Sequence, residues 1–332
     1  MRSTVFHRAL ATACLAAWVP AHATYTATAT ANVQVRGQSY VPAVDPTPQS
    51  LGQADSHRDV KPSGTAQTSA GAGIHVLAGA IDATGGGSSW AIASPGGVHA
   101  AAFSNGATSL IGATSYAQLE GRGIAGATAL VTDMVTFSVA SLPVGAALRM
   151  NISVGITGGM DWNGQRVAGI AGDQTLTQLK WELYVGGNWV DDRGGEVYTT
   201  NGVINYDTRT ATGVRSYNLQ VANGVPGLLS MKLEVGASAQ ANMRCADCGG
   251  LFAEAVAASD YGHTFAWNGV QSITDGAGDP LVLGALQVSA DSGFDYRVAY
   301  AAPVPEGSTS TLLLAGAGVL GMLVRRRGRP AR

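Results

Sequence analysis

Apolar and polar residues alternate with period two through much of the chain. Leu148, Met150, Ile152, Val154 and Ile156 are separated by Arg149, Asn151, Ser153 and Gly155. Leu179, Trp181, Leu183 and Val185 alternate with Lys180, Glu182 and Tyr184, and Leu229, Met231, Leu233 and Val235 with Ser230, Lys232 and Glu234. Each run predicts a strand with one face on a core and the other in water. Residues 25–35 (YTATATANVQV) keep the same period with smaller side chains. Gly158-Gly159, Gly186-Gly187-Asn188, Gly194-Gly195, Asn201-Gly202 and Asn223-Gly224 read as turns, and no long 3.6-residue period precedes residue 308. The body is therefore expected to be an all-β, antiparallel β-sandwich of jelly-roll type. Residues 36–73 break the pattern, with Pro42, Pro46, Pro48 and Pro62 among Gln, Ser, Asp and Thr. Too little apolar area is available there to offset the ordering entropy, so this stretch is expected to be a long loop or flexible insert.

The two ends follow other patterns. Arg2 and Arg8 precede the apolar run at residues 9–19, and Ala21-His22-Ala23 is an A-x-A site, so residues 1–23 read as a signal peptide cut between Ala23 and Thr24. Residues 308–324 are uncharged and are followed by Arg325, Arg326, Arg327, Arg329 and Arg332. Seventeen residues at 1.5 Å rise cover roughly 25 Å, enough for a short membrane helix whose arginines stay cytoplasmic. Glycine numbers 45 among 332 residues, about double its usual share, which many short strands joined by tight turns would explain.

The formal net charge of -2 averages over unlike parts. Without Arg2, Arg8, the five tail arginines and Glu306, the 20 basic and 22 acidic residues leave a body near -8, with Lys61, Lys180 and Lys232 as its lysines. Such a body is repelled by phosphate, which excludes a nucleic-acid binder.

Val304-Pro305-Glu306-Gly307-Ser308-Thr309, the short Leu/Ala/Gly-rich helix and Arg325-Arg326-Arg327 resemble the PEP-CTERM sorting signal of Gram-negative, exopolysaccharide-producing bacteria. Gly307 stands where that pattern has its second proline. The resemblance implies an exosortase-type membrane protease as partner, an inner-membrane intermediate held by residues 308–324, and release to the cell surface or matrix. It divides the chain into a signal peptide at 1–23, a secreted domain at 24–303 and a sorting tail at 304–332. Asp260-Tyr261-Gly262-His263-Thr264 and Ser292-Gly293-Phe294-Asp295-Tyr296 are similar to the last strands before the tail in that family.

Catalytic chemistry has little footing. Cys245-Ala246-Asp247-Cys248 is a C-x-x-C after a strand in an oxidising compartment; a local disulfide is the favoured reading, redox work the lesser one. His57, His75 and His99 show no triad spacing and no G-x-S-x-G elbow occurs, so no catalytic or metal-binding residue is assigned. Asp161-Trp162-Asn163-Gly164 and Asp275-Gly276-Ala277-Gly278-Asp279 offer turn oxygens of the kind calcium prefers, without an EF-hand pattern. No cofactor is expected beyond that calcium option. Trp90, three residues after Gly87, and Trp162, Trp189 and Trp267, each beside Asn, are expected near strand ends, where an indole could stack on sugar, while Trp181 reads as core. The expected function is a non-enzymatic structural or adhesive protein of envelope or biofilm matrix, with exopolysaccharide as the expected ligand. The alternative is a carbohydrate-binding or carbohydrate-active protein.

Overall fold

The computed structural model describes residues 25–301, apart from 42–44, 79–80, 111–116, 167–170, 187, 202, 209–211 and 246–250. The residues expected to form a signal peptide, a sorting motif and a membrane helix, and the arginine cluster, lie outside the described residues. Among the described residues fifteen strands are formed: β1 (Thr26–Val41), β2 (Asp45–Lys61), β3 (Ala66–Ala78), β4 (Ile81–Ser94), β5 (Gly97–Leu110), β6 (Ala117–Val139), β7 (Ala147–Arg166) and β8 (Ala171–Val185). They continue as β9 (Asn188–Thr200), β10 (Val203–Asp207), β11 (Gly213–Ala222), β12 (Pro226–Cys245), β13 (Leu251–Asp275), β14 (Pro280–Leu281) and β15 (Leu286–Ala290).

The strands form two antiparallel sheets, as the alternation predicts. One runs β10-β9-β8-β12-β6-β1-β2 with β15 added to β6; the other runs β11-β7-β13-β5-β4-β3 with β14 added to β13. Leu148, Ile152, Ile156, Leu183, Leu229 and Leu233 are fully buried between them. The core differs from one side of the sandwich to the other. Between β7/β13 and β8/β12 it is filled by large side chains, among them Trp181, Trp267 and Phe265. Between β4/β5 and β1/β6 it consists largely of alanine and glycine, such as Ala27, Ala29, Ala31, Ala127 and Ala129.

At one end of that second side, backbone meets backbone. A Cβ on Gly123 would fall on the Gly86 carbonyl oxygen, and one on Gly106 on that of Gly121. The sheets are therefore closer here than the ~10 Å of a sandwich filled by side chains. This corrects the expectation that glycine serves mainly turns. Gly96 and Gly224 do sit in turns with positive φ, but Gly85, Gly106, Gly121 and Gly123 lie inside strands, where the facing backbone leaves no room for a side chain.

Residues 36–73 are also corrected. They continue β1 and form β2 and much of β3. The stretch can be ordered without burying much apolar area because it makes edge strands whose backbone groups pair with β1 and β4. Its polar side chains serve the same end: the Gln67 and Gly71 N–H groups donate to Asp59 and Asp55 carboxylates at 3.0 Å each. The Gln67 amide is the main cause that holds the Asp59 carboxyl below its ordinary pKa, with Lys61 adding to it.

Candidate functional site

The last described segment, residues 286–300, is tied to the sandwich by a polar and aromatic latch. β15 pairs with β6, and the chain then turns at Ser292. The Asp133 carboxylate of β6, 1% exposed, accepts from the Ser292 N–H, the Ser292 hydroxyl and the Tyr296 hydroxyl. Burial raises the Asp133 pKa and outweighs these donors, which lower it. Burial likewise raises the Tyr296 and Tyr25 hydroxyls, with Asp133 adding to both.

Aromatic rings complete the latch. Trp267 Nε1 donates to the Tyr296 carbonyl at 2.6 Å, and the two rings meet edge-on. The Tyr300 N–H donates to the Trp267 carbonyl at 2.7 Å, and its hydroxyl lies 2.7 Å from Ser94 Oγ. Phe294 and Tyr300 rest on the backbone of Gly96 and Gly97, where any Cβ would collide with their rings. The Ser292–Tyr296 motif singled out in the sequence is thus a fastening. Its main partner, Asp133, stands 159 residues before Ser292 and was missed because no local pattern marks it.

The outer face of the β9-β8-β12-β6-β1 region is polar. Lys180 lies opposite Glu234, and Glu182 opposite Lys232. Lys180 and Glu182 approach to 2.6 Å, and Lys232 and Glu234 to 3.0 Å. These pairs lie within single strands, and Lys232 also approaches Glu182 across the strands at 3.9 Å, where opposite charges on neighbouring strands attract. Beside it a shallow groove of about 610 Å³ crosses the strands. Gly236 and Gly126, paired across β12 and β6, form its floor. Asn32, Gln178, Thr128 and Glu196 line it, with Gln178 Nε2 donating to Glu196 at 3.2 Å.

The other sequence candidates are dispersed. His57 pairs with Asp55 and His75 with Asp82, each at 2.8 Å, while His99 is buried near Tyr300. Asp275 accepts from the N–H groups of Ala277, Gly278 and Asp279 at 2.9 Å each, which accounts for that acidic turn as a self-capped loop. Asp161 caps its neighbour Trp162. Among the described residues no group of three His, Cys, Asp or Glu side chains is placed to hold a metal. Trp181 is core as expected, with the Arg215 guanidinium 5.4 Å above it. Trp267 is fully buried, so it offers no stacking surface, whereas Trp189 is 57% exposed. Cys245 ends β12, and Cys248 lies outside the described residues. Among the described residues no helix is long and apolar enough to cross a membrane.

No protein-family model, curated protein or solved structure matches the chain.

Proposed function

We propose that the chain is an exported, non-enzymatic structural or adhesive protein of the cell surface or extracellular matrix, delivered by an exosortase-type membrane protease. The observation that carries the reading is the order of features at the C-terminus. The latch ends at Tyr300, and Val304-Pro305-Glu306-Gly307, the apolar stretch 308–324 and Arg325-Arg326-Arg327 follow within a few residues. A body fastened to its last residue can be cut free just beyond it without exposing its core. The signal peptide ending at Ala23, the jelly-roll kinship of the sandwich, the membrane helix and the Cys245–Cys248 disulfide belong to the same proposal.

Intact-mass measurement and fractionation of an internally tagged chain test it. In a host with the exosortase, the protein is expected to lose the mass of its tail and leave the inner membrane. In an exosortase-deleted host, and in a Glu306→Arg variant, it is expected to keep both tail and membrane location. Identical masses and locations in the two hosts would rule the proposal out.

The groove favours a second reading, carbohydrate binding, because its amides and glycine floor suit an extended polyhydroxylated chain. Replacing both Asn32 and Gln178 by Ala is expected to weaken retardation by neutral polysaccharide in affinity electrophoresis by about tenfold, each lost bond counting about 0.5–1.5 kcal/mol. Unchanged mobility of the double variant would count against this reading.

A further inference from the structure

Among the described residues the two strand paths end in β10, β2, β11 and β3, and these edges are defended unequally. β2 carries Pro46, Pro48, Asp55, Arg58, Asp59 and Lys61. The edge amides of β3 at Gln67 and Gly71 are taken by Asp59 and Asp55. β10 has only five residues, and its register breaks between Ile204 and Tyr206. Proline, charge, shortness and irregularity all keep an edge from recruiting another strand. β11 has ten residues, no proline and an unbroken register against β7 from Gly213 to Ala222.

The Asn223 N–H donates to Ala146 on the β7 side. By antiparallel alternation the odd residues of β11 face β7, and Val214, Ser216 and Asn218 turn both N–H and C=O to the open side. Among the described residues no strand pairs with that side. Val214 is 71% exposed, and on the same flank β10 exposes Val203 and Ile204.

We infer that β11 is a self-association edge: two copies pair it antiparallel about a two-fold axis at Ser216, joining their seven-stranded sheets into one. Ser216 then faces Ser216 and Val214 faces Asn218, an isologous contact in which the open N–H groups of Val214, Ser216 and Asn218 each meet a carbonyl. Gln220, whose carbonyl already accepts from Asn188 Nδ2 at 2.8 Å, falls outside the paired stretch. The outer side chains of the pairing residues are uncharged, so no like charges meet. On the inner side Arg215 comes opposite Tyr217 of the second copy, whose hydroxyl donates to Asp191. The strand's one cation therefore meets a phenol–carboxylate pair, which favours a second copy over an unrelated strand. This contact does not depend on how the tail is processed.

The full-length chain provides the test. Under mild oxidation Ser216→Cys is expected to give mostly covalent dimer, whereas Ser56→Cys on β2 stays at the wild-type background. Val214→Lys with Asn218→Lys, at exposed positions, is expected to lower the dimer fraction in sedimentation about tenfold by placing like charges opposite one another. A Ser216→Cys cross-link no stronger than that of Ser56→Cys, or sedimentation unchanged by the two lysines, overturns the inference.

Discussion

Gly123→Val is expected to destabilise the protein by about 3 kcal/mol or more, the upper range for overpacking a closed interior. The new Cβ has no direction in which to relax, because its neighbours are the Gly86 carbonyl and the backbone of Asn105 rather than the ends of flexible side chains. Accommodating it means moving β4 and β5 away from β6. The matched control is Gly126→Val, three residues along the same strand but on the outer face. There the nearest atom is the Asn32 amide oxygen at 3.0 Å, on a side chain that can swing aside. The intrinsic gain of valine over glycine in a strand then acts alone, and a change within about 1 kcal/mol of wild type, stabilising in sign, is expected. Urea midpoints followed by tryptophan fluorescence separate the two. Equal shifts for both variants would show that the glycine seam does not hold the sheets together.

Asp133→Ala is the second large effect, and two opposing terms set its size. Removing the carboxylate relieves the burial that raises its pKa, a gain. It also strands three donors, the Ser292 N–H and the hydroxyls of Ser292 and Tyr296, in the space it vacates. At about 1–3 kcal/mol for each orphaned donor the second term wins, and a net loss of about 2–4 kcal/mol is expected. Hydrogen exchange across residues 286–300 should accelerate more than elsewhere.

The pH dependence gives an independent check. A carboxyl whose folded-state pKa lies above its unfolded value near ~3.9 binds its proton more tightly when folded. Its contribution is complete below the unfolded value and is lost as pH rises through the folded one. Asp59 and Asp295, held low by the Gln67 amide and by Arg297, act in the opposite sense and lose stability as pH falls. The comparison is therefore wild type against Asp133→Asn, which cancels them. Wild type should gain on the variant as the solution is acidified, and a difference that stays constant with pH would refute the assignment.

The strands legible in the sequence were those whose inward residues are large. Leu148 to Ile156, Leu179 to Val185 and Leu229 to Val235 alternate because a thick core must be filled from one face of each strand. β2 and β3 were hidden because an edge strand can be stabilised by its ladder and by side chains such as Asp55 and Asp59, with no apolar alternation to reveal it. The glycine seam was misread as turn chemistry: a glycine facing a carbonyl of another sheet looks, in one dimension, like a glycine awaiting positive φ. Half of the latch could be seen, in the Ser292–Tyr296 motif. The other half is a single aspartate on a distant strand, and its meaning arises only from the β6–β15 pairing.

The unequal hold on the two ends of the described body, near Tyr25 and Tyr300, makes it mechanically one-sided. β1 is gripped between β2 and β6 along most of its length, so a pull at the N-terminal end must shear two ladders at once. The C-terminal end leaves through β15, with five paired residues, and through the bonds to Asp133, Trp267 and Ser94. Tension applied there loads those contacts one after another, as in peeling a zip. The segment 286–300 would come away first, leaving the sheets beneath it to bear load only after the latch has opened.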